Sequence, residues 1–179
     1  VTIGQPEQLG LEVRAIVPEI VFGNGDGLIR ARTVGGKLKG SMKIKTKRLL
    51  GEDESEMLPV RDVAAGHQFE LAGLSGGLYE IEVTDSNGCV FTSEKIEVPA
   101  PPSPLQIEIV SVKDALCNAR LGSFQIKGSG GWGDYTYRLA THTGTTSISN
   151  YEELSAGSYK VFVQDKLGAS VSTLIEIGE

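Results

Sequence analysis

A chain of 179 residues with 40% hydrophobic and 22% charged residues can bury a core and is not disordered by composition. Its net charge of −6 and pI near 5.0 argue against a nucleic-acid partner, which rewards a basic surface through counterion release. No apolar run approaches the roughly 18–20 residues of a membrane span, so no membrane insertion is expected in this segment; 23 glycines and 7 prolines point to many turns between short elements.

The opening "VTIGQP" reads as the end of a strand, so residues 1–8 are expected to be the last strand of a preceding repeat in a longer protein. "LGLEVRAIV" from Leu9 and "GLIRARTVGG" (Gly27 to Gly36) follow as strands around the turn "GNGDG". In "MKIKTK" Met42, Ile44 and Thr46 alternate against Lys43, Lys45 and Lys47. In "LYEIEV" Tyr79, Ile81 and Val83 share one face, a period of two that marks a strand with one core face and one wet face. "DSNG" (Asp85 to Gly88) is a hairpin turn, with Asn and Gly supplying positive φ cheaply. "PAPPSP" (residues 99–104) reads as a proline-rich, polyproline-like linker. Beyond it the strand signals return as "LQIEIVSVK", "GSFQIKGSGG", "YTYRL", "SYKVFV" and the closing "IEIGE".

This return is a duplication. Leu74, Gly77, Tyr79, Val83, Asp85 and Gly88 recur 80 positions on as Leu154, Gly157, Tyr159, Val163, Asp165 and Gly168. Gly27 to Gly36 recurs as Gly122 to Gly131, 95 positions on, and the segment from Leu9 matches the one from Leu105, 96 positions on. The drop in spacing places an insertion near 37–66 in the first copy. The expectation is an all-β chain of two tandem immunoglobulin-like antiparallel β-sandwiches, 9–98 and 105–179. Tyr79 and Tyr159, near the start of each penultimate strand, are expected to be buried with the hydroxyl hydrogen-bonded, as the corner tyrosine of such sandwiches is.

Candidate chemistry is sparse. Asn24, Asp26, Asp85 and Asn87 lie in Gly-rich turns and are candidate calcium ligands, although neither stretch completes the D-x-[DN]-x-[DN]-G loop; turn-forming Asx residues are the favoured explanation. Lys43, Lys45 and Lys47 make a basic stripe for anionic polysaccharide, or protect an edge strand against pairing. Trp132 and Tyr135 in "GGWGDYTY" are candidate glycan contacts, or pack at a turn. His67 and His142 stand in unrelated contexts, and the adjacent acids Glu152 and Glu153 face opposite ways on a strand, so no enzyme is expected. Cys89 and Cys117 are too few for a disulfide scaffold or, without well-placed histidines, a zinc site.

The run "GNGDGLI" or "NARLGSF", then "GG" with "YTY", then "LSAGSYKVFVQD" or "LSGGLYEIEVTDSNGC", resembles the SprB-type repeat of gliding-motility cell-surface adhesins of Bacteroidetes. Both copies depart from it: "GGKLKGSMKI" stands in the first, and "DKLGA" replaces "DSNGC" in the second. The resemblance implies export by the type 9 system, display at the cell surface, and no catalytic residue. It also implies a cysteine before the second strand and another in the last turn; these positions read Val21 and Cys89 in one copy, Cys117 and Ala169 in the other. If first and last strands run parallel, the two sites lie roughly 25–35 Å apart, against the roughly 4.4–6.8 Å a disulfide needs. Cys89 and Cys117 are therefore not expected to pair with each other; they pair with modules outside this segment or stay free.

The function so expected is a non-catalytic repeat segment of a large adhesin, a semi-rigid stalk or adhesive array in surface attachment and gliding motility. Its partners would be neighbouring repeats and surface polysaccharide, with no cofactor beyond candidate calcium. The alternatives are a carbohydrate-binding module, marked by an exposed Trp132 beside other aromatics, and an accessory region of a secreted hydrolase.

Overall fold

The computed structural model describes residues 7–36, 40–116, 121–140 and 150–179, and these contain strands and no helix. The expected strand over 1–8 lies, for residues 1–6, outside the described residues; Glu7 and Gln8 are in no strand. The chain divides into two compact units, Gly23–Ala100 with the residues up to Glu19, and Pro101–Glu179 with Ile20–Phe22.

In the first unit, one sheet has β1 (Gly10–Val17), β2 (Gly27–Val34) and β6 (Gln68–Leu74) in that order. The other centres on β3 (Ser41–Leu49) and β7 (Gly77–Thr84), with β4 (Ser55–Met57) and β5 (Arg61–Ala64) on the outer side of β3, and β8 (Val90–Thr92) and β9 (Ile96–Val98) on the outer side of β7. Every pairing is antiparallel. The alternation seen in the sequence decides what faces in. Ile29, Ala31, Met42, Ile44, Ile81 and Val83 are buried, together with Leu71, Leu74 and Tyr79. Each large side chain so placed stabilises by about 1.5–3 kcal/mol relative to exposure.

The insertion has a structural use. Ser55–Met57 pairs with Lys47–Leu49 and Arg61–Ala64 with Ser41–Ile44, so one interrupted strand runs back along β3. The interruption includes Pro59, which has no N–H for a ladder bond, while the neighbouring Leu58 N–H donates to Thr46 O at 2.9 Å. β3 is therefore an interior strand. This corrects the reading of its lysines as edge protection, since the edge is covered by backbone.

The last strand of this unit also carries one residue more than its copy. Thr84 pairs with Val90 and Glu82 with Thr92, but Tyr79 pairs with Ile96, one position out of register. Ser93 absorbs the difference: its N–H donates to Ile81 O at 2.9 Å, and its Oγ accepts the Ile81 N–H at 3.0 Å.

The second unit is the plainer version. β10 (Gln106–Lys113), β11 (Gly122–Ser129) and β13 (Asn150–Leu154) form one sheet; β12 (Thr136–Leu139), β14 (Gly157–Gln164) and β15 (Ser170–Ile177) form the other. β14 and β15 pair without interruption from Gly157–Ile177 to Gln164–Ser170. Phe124, Ile126, Tyr137, Leu139, Val161, Val163, Ile175 and Ile177 make the core.

Each unit makes the same internal contacts at matching residues. In each, the segment after the first strand meets the end of the last: Glu19 N–H donates to Pro99 O at 2.8 Å, and Ala115 N–H to Gly178 O at 2.9 Å. First and last strands thus finish at the same end of each sandwich. Beneath them, a Cβ on Gly27 would lie 2.6 Å from Leu74 O and 2.8 Å from Val98 Cγ1; on Gly122 it would lie 2.9 Å from Leu154 O and 2.7 Å from Ile177 Cγ2. Only glycine allows that approach.

Candidate functional site

Each unit is closed at one end by a buried aspartate. Asp165 Oδ1 accepts the N–H groups of Leu167 and Ala169 at 3.0 Å, while Oδ2 accepts that of Trp132 at 2.9 Å. Asp85 Oδ1 likewise accepts from Asn87 and Cys89 at 2.9 Å. In both hairpins the aspartate N–H bonds back to the fifth residue of the turn at 3.0 Å, and Gly88 and Gly168 take φ of +84° and +96°. Asp85 and Asp165 are thus turn anchors with an oxygen already committed to backbone amides. At the other end of the first unit, buried Glu19 accepts Gly25 N–H at 2.7 Å and Gly76 N–H at 2.9 Å.

The candidate calcium residues do not converge. Asp85 and Asn87 lie at the end near Gly36, whereas Asn24 and Asp26 lie in the loop that meets Gly73 and Ser75, across the length of β2. Asn24 Nδ2 donates to Asp26 Oδ2 at 3.2 Å. Among the described residues no three His, Cys, Asp or Glu side chains come close enough to hold a metal ion.

Lys43 and Lys45 point outward from β3, with Lys47 half-buried. They do not form a free basic stripe. Lys45 stands opposite Glu82, with Nζ 2.7 Å from its Oε1; Lys47 stands opposite Glu80, and Lys43 opposite Asp62 of β5. The acids of the neighbouring strands alternate with the lysines, a pattern that register alone creates.

Trp132 is half-buried in the turn before β12. The Tyr135 ring lies against Gly128, where an added Cβ would come within 2.7–3.0 Å of it, and its hydroxyl donates to Gly130 O at 2.7 Å. Tyr135 is therefore packed onto the core rather than offered flat to solvent. Tyr79 is buried, its hydroxyl donating to Ser75 O at 2.7 Å, and burial raises its pKa above the ordinary value despite the opposing Arg48 charge. Tyr159 makes the same bond to Ser155 O at 2.8 Å but is only half-buried, which corrects the expectation of burial in both copies; the hydroxyl is exposed. Both are corner tyrosines.

His67 is exposed, its Nδ1 3.2 Å from Ala65 O. Cys89 is an exposed free thiol. Cys117 and His142 lie outside the described residues. Glu153 adopts φ +57° at an irregularity in the β11–β13 pairing, so Glu152 and Glu153 do not sit on a regular strand.

One arrangement escaped the sequence. On the outer face of β12–β14–β15, Arg138 Cζ stands 4.0 Å from the centroid of the Phe162 ring, and Lys160 Nζ stands 5.4 Å from it. Arg138 pairs with Phe162 across the strands and Lys160 is two residues before it, so all three share a face. The alternation of β14 signals an outward Phe162; its neighbour across the sheet needs the register.

No protein-family model matches the chain, and no curated protein does. Among solved structures the chain is similar to the C-terminal 282-residue fragment of intimin in complex with the intimin-binding domain of the translocated intimin receptor, with a TM-score of 0.51 and 15% identity over 98% of this chain. The chain spans 65% of that fragment, a little under two thirds. It is also similar to the FN1–FN3 domains of chicken CNTN1 (TM-score 0.40, 14% identity, 97% of this chain and 66% of that one) and to the BSP domain of a biofilm-associated protein (0.36, 12%, 96% and 30%). At such identities the likeness speaks for the fold alone, and the fold is an all-β, immunoglobulin-like antiparallel sandwich.

Proposed function

We propose that the chain is a non-catalytic segment of a bacterial cell-surface adhesin of the SprB-repeat type, a stalk or adhesive array serving attachment and gliding motility, exported by the type 9 system. The observation that carries this reading is the repetition. One sandwich is built twice in tandem on the same skeleton, with Asp85 and Asp165 anchoring the hairpins and Gly27 and Gly122 admitting the chain ends. A unit repeated with its turns and packing intact supports work as a spacer or array, since a repeat adds length and surface without new chemistry. The overlap in fold with an intimin fragment supports an adhesive setting by analogy of architecture.

Deleting the residues 9–179 from the parent protein tests this. Cells that still export the shortened protein are expected to attach and glide less well on solid surfaces. Unchanged attachment and gliding at equal surface levels would overturn the reading.

A further inference from the structure

We propose that the outer face of β12–β14–β15 binds a carboxylate-bearing polysaccharide, with Arg138 and Lys160 as the anion contacts and Phe162 as the group that holds them in place. The choice of a polysaccharide as the bearer of the carboxylates rests on the adhesin reading; the site itself rests on geometry.

Two cations share one aromatic ring, and among the described residues neither has a carboxylate within ion-pair distance. What sets this pair apart is convergence: two cations meet one ring, and no acid stands directly opposite either of them across the strands. The lysines of β3 show the contrast, since Glu82, Glu80 and Asp62 stand opposite them. Here the residues opposite are neutral: Phe162 pairs with Ser172, Gln164 with Ser170, and Lys160 with Leu174. The acid on this face of β15, Glu176, stands opposite Ser158 and so diagonally across from Lys160, without forming an ion pair with it.

The ring attracts the guanidinium and limits its freedom, so a ligand meets a positioned fork of N–H donors and less side-chain entropy is lost on binding. A planar guanidinium fits a planar carboxylate through two parallel hydrogen bonds. Beside it, Thr136, Gln164 and Ser170 line a shallow hollow of about 130 Å³ with Arg138 and Phe162. Their hydroxyl and amide groups suit sugar hydroxyls. A protein partner would instead seek a deep apolar pocket for an anchor side chain, and the hollow offers none.

Binding of the whole chain to immobilised alginate, a polyuronate, tests this, with dextran, dextran sulfate and polyglutamate as the other surfaces. Saturable binding to alginate that weakens with salt and falls roughly tenfold or more in Arg138→Gln/Lys160→Gln is expected. The triple variant Lys43→Gln/Lys45→Gln/Lys47→Gln should bind as the parent does. No alginate binding, or binding that survives the double substitution, would overturn the site. Binding to dextran sulfate alone would overturn the carboxylate assignment, and tighter binding to polyglutamate than to alginate would replace the glycan with an acidic protein. Both substituted side chains lie on the outer face, and an unchanged urea midpoint confirms that the variant folds; Arg138→Lys/Lys160→Gln, which keeps one charge but loses the fork, should bind between the two. A failed alginate result leaves a surface stalk standing, whereas absence of the parent from the cell surface would sink the adhesin reading without touching this binding.

Discussion

The carboxylate of Asp165 accepts the backbone N–H of Trp132 at 2.9 Å, tying the hairpin between β14 and β15 to the turn that opens β12. With its bonds to Leu167 and Ala169, this one buried side chain satisfies three amides from two loops. Asp165→Ala should therefore destabilise the second unit by about 3 kcal/mol, because buried donors are left without acceptors. Asp165→Asn keeps one acceptor oxygen for the hairpin and should lose only about 1 kcal/mol. Urea denaturation followed by Trp132 fluorescence reads both, and equal stability in the two variants would rule out the anchoring role.

The close approach at Gly122 gives a second test. A Cβ there meets Ile177 and the Leu154 carbonyl, so Gly122→Ala should cost about 2 kcal/mol by overpacking. Gly27→Ala should behave alike in the first unit, since Leu74 O and Val98 crowd it in the same way. A neutral result at either site in thermal denaturation would mean the strand ends are looser than they look.

The corner tyrosines separate by burial. Tyr79→Phe removes a 2.7 Å bond from a buried ring and should cost about 1 kcal/mol, and Tyr159→Phe, whose hydroxyl is exposed, less. Burial raises the folded-state pKa of Tyr79 above the unfolded value of 10.0. The folded state then holds the proton more tightly, so its contribution is fully present below pH about 10 and is lost as pH rises through the folded pKa. Stability of the parent should fall in that alkaline range and Tyr79→Phe should flatten the fall; identical alkaline profiles would contradict the assignment. Tyr151, also raised by burial and next by Tyr137, contributes with the same sign in the second unit.

Replacing residues 51–65 with a glycine–serine linker of the same length, which still spans β3 but no longer pairs with it, should expose the free side of β3. An uncovered edge invites pairing with another chain, so the altered protein is expected to self-associate in analytical ultracentrifugation while keeping its β-type circular dichroism. A strictly monomeric product would show that β4 and β5 do not serve as the cover.

Much of this was legible in the residues. Inward strands announced themselves because Tyr79, Ile81 and Val83 alternate with polar neighbours, and the duplication doubled every signal. The pairing of β4 and β5 was not, because "SEMLPVRDVA" is almost wholly exposed and so carries no alternation. The extra residue at Ser93 left only a trace, a spacing of 80 before it and 79 after, as Val90 and Ser170 or Val98 and Ile177 show. Asp85 and Asp165 were visible as turn residues but not as buried anchors, since burial depends on how loops meet. The Lys–Glu pairs and the Arg138–Phe162 contact likewise exist only across strands, where register rather than sequence neighbours decides who meets whom.

Antibodies raised against this chain, applied to intact cells of the parent bacterium, reach the adhesin reading most directly. Intact cells should be labelled, and brief protease treatment of their surface should remove the label. Labelling that appears only after permeabilisation would place the protein inside and contradict a role in attachment.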